Sequence, residues 1–128
     1  MPPRQSPTLT EAELRIMNVL WERGYGTVQQ VLDSLPAKPA LAYNSVLTTV
    51  RVLEKKGYVN HSTSDGRAHI YVPVIARSAA TRSEIGHLVS RFFKNSHEQL
   101  VLNILEDRGL DEAELDRLRK MLERSSKK

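Results

Sequence analysis

The chain has 128 residues, of which 40% are hydrophobic and 27% charged, a composition that suits one or two small folded domains rather than a disordered tail. It contains no cysteine, so disulfides, thiol nucleophiles and cysteine-based zinc sites are excluded. The net charge of +4 permits a polyanionic partner, but each part of the chain carries about the same excess of cations. Residues 1–74 hold 8 Lys/Arg against 6 Asp/Glu, and residues 75–128 hold 11 against 9. Local placement of charge must therefore decide where such a partner binds.

Nothing in the sequence indicates insertion into a membrane. No segment reaches the ~18 uninterrupted apolar residues of a membrane-spanning helix. The first residues, Met1-Pro2-Pro3-Arg4-Gln5, lack the apolar run of a secretion signal. We therefore expect a cytoplasmic protein.

Two capping boxes predict the first two helices. Thr10 is followed three residues later by Glu13, and the helix that this pair opens is expected to end at Gly24. Thr27 and Gln30 repeat the spacing and open a second, shorter helix that Pro36 stops.

The segment from Leu41 to Gly57 predicts a third, amphipathic helix. Val46, Val50 and Leu53 fall on one side of it at about 100° per residue. The opposite side presents side chains that can contact base edges or phosphates, namely Asn44, Thr48, Arg51 and Lys55. On residue types alone such a face is more often a solvated surface, so the neighbouring elements have to decide.

A β-hairpin is predicted directly after Gly57. If Asp65-Gly66 is a two-residue turn, Ser64 pairs with Arg67, Ser62 with His69, His61 with Ile70, and Val59 with Val72. This register gives a polar tip from which Arg67 and His69 can reach a phosphate backbone. It also leaves an apolar base in which Val59, Tyr71 and Val72 anchor the sheet. A reading helix followed by a wing is the pattern of a winged-helix DNA-binding domain.

From Ile75 onward the sequence predicts three further helices and no strand. The expected fold class is therefore mainly α with a small antiparallel β-wing. A winged helix-turn-helix domain over residues 7–74 is followed by a helical region over residues 75–126. About 50 residues make a poor independent core, so we expect this region to form a homodimer. The predicted interface consists of Leu88, Phe92, Leu100, Ile104, Leu115, Leu118 and Leu122.

Catalytic and metal-binding chemistry is not indicated. The predicted hairpin register puts His61 and His69 on opposite faces, and His87 and His97 have no partner at the i+4 position. There is no glycine-rich phosphate loop and no nucleophile or zinc-protease motif. We expect no enzyme activity, no cofactor and no metal.

The sequence resembles the BlaI/MecI-type penicillinase repressor family of bacterial winged-helix regulators. The resemblance rests on runs that occur in order over residues 7 to 124: Leu9-Thr10-Glu11-Ala12-Glu13, Met17 to Trp21, Tyr43-Asn44-Ser45-Val46-Leu47-Thr48, Leu53-Glu54-Lys55-Lys56-Gly57-Tyr58-Val59, Tyr71, Leu100-Val101-Leu102-Asn103, and Leu110 with the helix after it.

The resemblance implies a dimeric repressor that binds inverted-repeat operators of a resistance or stress operon. The positions that face the DNA groove in the family match Asn44, Ser45, Leu47 and Thr48, although Leu47 cannot hydrogen-bond a base. In members that answer β-lactams, a membrane sensor triggers proteolysis near an Asn that matches Asn103. The residue after it is Ile104 here, where an aromatic side chain is common in the family.

Two other functions fit the residues less well and stay open. One is a helical protein-interaction module whose basic helix is only solvated. The other is a ligand-sensing winged-helix regulator, which would need an apolar pocket with convergent polar groups. The sequence displays no such pocket.

Overall fold

The computed structural model describes residues 8–37, 40–63, 66, 68–107 and 110–126. Within them lie six helices and two strands. In chain order these are α1 (Glu11–Arg23), α2 (Val28–Ser34), α3 (Tyr43–Lys56), β1 (Val59–Thr63), β2 (His69–Pro73), α4 (Arg77–Phe92), α5 (His97–Asp107) and α6 (Glu112–Ser126). Contacts along the chain divide it into two units, residues 1–87 and 88–128, and the division falls inside α4. The predicted domain boundary between residues 74 and 75 stays a prediction.

The predicted helix ends are confirmed. The Thr10 side chain accepts from the Glu13 N–H at 3.1 Å, and the Glu13 carboxylate accepts from the Thr10 N–H at 2.8 Å. The same reciprocal pair caps α2, between Thr27 and Gln30. Helix α1 ends at Gly24, whose φ of 89° is a left-handed conformation that side chains disfavour. Local chemistry alone thus sets these boundaries.

The first unit packs α1, α2, α3 and a two-stranded antiparallel sheet around one core, which Ala80 of α4 also joins, and this is the winged helix-turn-helix arrangement that the sequence predicts. Gly26 adds an antiparallel bridge to Tyr71, through a pair of backbone hydrogen bonds of 3.0 and 2.9 Å. The largest fully buried side chains of this core are Ile16, Met17, Leu20, Leu53, Val31, Val46, Val50 and Val59.

The hairpin register differs from the prediction by one residue. Val59 pairs with Pro73, His61 with Tyr71 and Thr63 with His69. These pairs differ from those that a two-residue turn at Asp65-Gly66 would give, and Asp65 itself lies outside the described residues. Because side chains alternate between faces, a shift of one residue moves one whole strand to the other face. The predicted pairing of Ser64 with Arg67 lies outside the described residues.

The shifted register also corrects the predicted sheet anchors. Val59 and Tyr71 are buried, as expected, but Val72 is 38% exposed. Tyr71 and Val72 are neighbours on one strand and point to opposite faces, so only one of them can enter the core.

The second unit consists of the end of α4 together with α5 and α6. Ser96 caps α5 by accepting from the Gln99 N–H at 3.1 Å, and Asp111 and Glu114 form a reciprocal capping pair at the start of α6. Many of its apolar side chains remain exposed, among them Phe92 at 64% and Leu122 at 69%. Among the described residues, no helix is both long and apolar enough to span a bilayer.

Candidate nucleic-acid interface

Helix α3 divides into a buried face and a polar face. Val46, Val50 and Leu53 have no exposed surface. All five predicted DNA-contacting residues of this helix are exposed: Asn44, Ser45, Thr48, Arg51 and Lys55. The buried face fixes the helix against α1 and α2, so the polar face is held on a rigid element.

Lys56 does not belong to the polar face, although its position in a basic run suggests it. Its ammonium lies 2.8 Å from the Glu13 carboxylate and donates to the carbonyl of Thr8 at 3.2 Å. The side chains of Lys56 and Glu13 are only 12% and 5% exposed. This ion pair joins the start of α1 to the end of α3, and Lys56 is not available to a DNA partner.

A cleft runs along the flank of α3. It has a volume of about 300 Å³ and lies between α3, the start of α2 and the wing strand β2. Helix α3 contributes Tyr43, Leu47 and Arg51, which are spaced four residues apart and therefore form one stripe. Leu47, which the family resemblance assigns to the DNA groove, is half-buried and lines this cleft.

The wing contacts α3 through His61, which also stacks on a second histidine of the wing. His61 Nδ1 lies 2.7 Å from the carboxylate of Glu54, and the His61 ring stacks on His69 with centroids 4.2 Å apart and planes at 7°. The prediction that these histidines lie on opposite faces of the sheet is wrong, because the observed register puts them on the same face. His69 is exposed and lines the cleft, and its contact with a phosphate stays a prediction.

Tyr71 also lines the cleft, and only 3% of its surface is exposed. Burial raises the pKa of its hydroxyl above the ordinary value of 10.0, Glu54 adds to this, and Arg51 opposes it. Within the part of the chain that the structure describes, the Tyr71 hydroxyl makes no hydrogen bond. The tyrosine is therefore a neutral donor beside a guanidinium.

The structure thus brings six of the seven predicted DNA-contacting residues onto α3 and the neighbouring wing strand, and the seventh, Arg67, lies outside the described residues. Sequence reasoning missed Tyr43, Tyr71, Glu54 and His61. The four-residue spacing of Tyr43, Leu47 and Arg51 was a signal for the first of these. The contacts of the other three follow from the hairpin register, which lies one residue away from the predicted register. Among the described residues, no three His, Asp or Glu side chains are grouped to hold a metal ion.

Comparisons with known proteins agree with this arrangement. The model of the penicillinase repressor family matches residues 9–124. The transcriptional regulator BlaI of Mycobacterium tuberculosis is 34% identical over 116 residues, which are 89% of this chain and 82% of that protein. The penicillinase repressor of Bacillus licheniformis is 28% identical over 120 residues, which are 94% and 93% of the two chains.

A solved structure supports the fold of the first unit. The solution structure of the DNA-binding domain of the repressor BlaI superimposes with a TM-score of 0.50 at 29% identity, over 59% of this chain and 92% of that chain. The family match spans both units, whereas this structural match covers little more than half of the chain. The chain belongs to the penicillinase repressor family of transcriptional regulators.

Proposed function

We propose that this protein is a sequence-specific DNA-binding repressor that acts as a homodimer on inverted-repeat operators of a resistance or stress operon. The observation that carries the proposal is the polar face of α3, exposed beside the wing on a fold shared with a repressor's DNA-binding domain. A helix held by its buried face can enter the major groove of double-stranded DNA without reorganising.

The residues of this face divide by chemistry. The amide of Asn44 and the hydroxyls of Ser45 and Thr48 can donate to and accept from base edges, so they read sequence. Arg51 and Lys55 make no ion pair within the described residues, and we assign them to phosphates, together with His69 on the wing. Arg67 completes the predicted wing contacts.

The second unit supports the proposed dimer. An apolar cleft of about 520 Å³ lies between α5 and α6, and four of the predicted interface residues line it: Ile104, Leu115, Leu118 and Leu122. The other three are Leu88 and Phe92, exposed on α4, and Leu100, half-buried on α5. Soluble monomers rarely expose so continuous an apolar surface, and a second copy would cover it.

Operator discrimination tests the function. A duplex selected from a random pool by the full-length protein should bind at least ~10³-fold more tightly than a scrambled duplex at the same salt concentration. The selected sequence should contain a dyad whose half-site centres lie ~10 base pairs, or a multiple of this, apart. Equal affinity for both duplexes would leave the helical interaction module as the better description.

We further propose that a regulatory protease, activated by a membrane sensor, inactivates the repressor by cutting after Asn103. Asn103 and Ile104 are exposed but lie within α5, where the Asn103 side chain donates to the carbonyl of Gln99 at 2.9 Å. A protease therefore needs α5 to open locally before it can cut. N-terminal sequencing of fragments from induced cells should find Ile104 as a new first residue, and its absence among the fragments contradicts the proposal.

A further inference from the structure

The cleft beside α3 is lined by side chains that can donate hydrogen bonds to an anion. Three of its lining residues carry such donors: Arg51 has a guanidinium, and Tyr43 and Tyr71 have hydroxyls. None of them forms a hydrogen bond or ion pair among the described residues, and Tyr71 is almost completely buried. The described residues contain no buried side-chain nitrogen or oxygen without a hydrogen-bond partner, so the Tyr71 hydroxyl still reaches solvent, and it can donate to an incoming anion together with the guanidinium of Arg51.

The rest of the lining is mixed. Thr27, Gln29 and His69 are polar, whereas Val28, Leu47 and Ala68 are apolar. A ligand that suits this lining has a charged oxygen-rich end and an apolar body. A phosphate group with its attached deoxyribose has both.

The cleft lies beside the residues of α3 that are proposed to contact base edges. Tyr43 and Leu47 precede Asn44 and Thr48 by one residue each and therefore lie about 100° round α3 from them, while Arg51 lies between the two pairs. If Asn44 and Thr48 face base edges, the cleft faces the sugar-phosphate strand that borders them.

The wing closes the other side of this site. Glu54 of α3 holds His61, and His61 stacks on His69, which lines the cleft. These contacts link α3 to the wing strand β2 beside the cleft.

We propose that this cleft binds one specific deoxyribose-phosphate unit of the operator backbone, with Arg51, Tyr43 and Tyr71 donating to its phosphate oxygens. This inference rests on the proposed function, since it places one backbone unit of the bound DNA. A free nucleotide would present the same chemistry, and the test separates the two sources.

The test uses the full-length protein and a set of selected-operator duplexes, each with a single uncharged methylphosphonate linkage. Arg51→Gln and Tyr71→Phe should each weaken binding to the unmodified operator by about tenfold, as expected for the loss of a hydrogen bond to a charged group. A methylphosphonate at one linkage, the same for both variants, should weaken operator binding by the wild type. With that duplex, the wild type and either variant should bind with the same affinity.

Lys55→Gln is the matched control, because it removes one cation from the same helix outside the cleft. The loss of operator affinity that Lys55→Gln causes should persist when the methylphosphonate is at that linkage and disappear when it is at a different one. Arg51 is exposed, so the Arg51→Gln result holds even if Tyr71→Phe proves less stable. The proposal is overturned if no single linkage cancels the effect of Arg51→Gln.

Deoxyadenosine 5′-monophosphate is the probe for a free ligand. We expect no displacement of the operator by millimolar nucleotide, and displacement that depends on Arg51 would overturn the assignment to the DNA backbone. The experiment can contradict the proposal for the cleft and the proposed repressor function separately. A phosphate contact carries no sequence information, so Arg51→Gln should also weaken binding to the scrambled duplex, even if the wild type shows no operator preference.

Discussion

Asn44 and Thr48 are the residues whose chemistry most directly determines sequence preference. Replacing either with alanine should cost ~1–3 kcal/mol on the selected operator, because base-edge hydrogen bonds are lost. Affinity for scrambled DNA should hardly change. Lys55→Gln should instead weaken both duplexes alike and reduce the slope of log K against log salt by about one. Titrations at three salt concentrations measure both effects, and an equal loss on both duplexes in Thr48→Ala would remove its assignment to a base.

The raised pKa of Tyr71 makes stability depend on alkaline pH. An unfolded tyrosine loses its proton near pH 10, whereas the folded protein holds the Tyr71 proton to higher pH, as it does for Tyr58. The stabilisation is therefore complete below about pH 10 and is lost as the pH rises towards the folded-state pKa.

Tyr71→Phe should remove the part of this alkaline loss of stability that comes from Tyr71. The melting temperature of the variant should therefore fall less than that of the wild type between about pH 9 and pH 11. Thermal unfolding followed by circular dichroism measures the difference. Tyr25→Phe, at a tyrosine that is 55% exposed, is the control for the change of residue type. Parallel curves for Tyr71→Phe and the wild type would contradict the assignment.

At the scale of elements, the ion pair between Lys56 and Glu13 ties α1 to the end of α3. Lys56→Met leaves the Glu13 carboxylate buried without its cation, which should destabilise the protein by about 3 kcal/mol in urea unfolding. Lys120→Met breaks the exposed pair between Lys120 and Asp116 and should cost at most ~0.5 kcal/mol. Similar costs for the two variants would show that burial does not govern the contribution of Lys56.

The same element explains why neighbouring lysines have different roles. Lys55 is exposed on the polar face, and Lys56, about 100° further round α3, points towards α1. Their shared basic run gives no hint of this, since only the position of α1 determines which ammonium finds a carboxylate.

At the scale of the whole molecule, dimerisation should depend on one side of α6. Leu122→Glu puts a charge into the predicted interface and should shift sedimentation at micromolar concentration from dimer to monomer. Ala113→Glu adds the same charge to the same helix on the opposite, exposed side and should leave the dimer intact. A Leu122→Glu protein that still sediments as a dimer would exclude Leu122 from the interface.

Helix boundaries and the core face of α3 were predictable because they depend on neighbours in sequence. Capping pairs act over three residues, and the apolar stripe of Val46, Val50 and Leu53 needs only the helical repeat. The wing was less predictable, because Asp65-Gly66 fits a two-residue turn locally while the strands pair one residue away from the register that such a turn gives. That single shift moved His61 next to His69 and determined which groups line the cleft.

The sequence by itself determined the helices, their caps, the polar face of α3 and membership of the penicillinase repressor family, since each follows from local chemistry or from ordered motifs. Only the tertiary structure decided that Lys56 is buried with Glu13, that His61 and His69 stack, and that Tyr71 presents an unpaired hydroxyl beside Arg51. These contacts join residues far apart in the chain, and their geometry depends on strand register and helix packing, which no local pattern specifies.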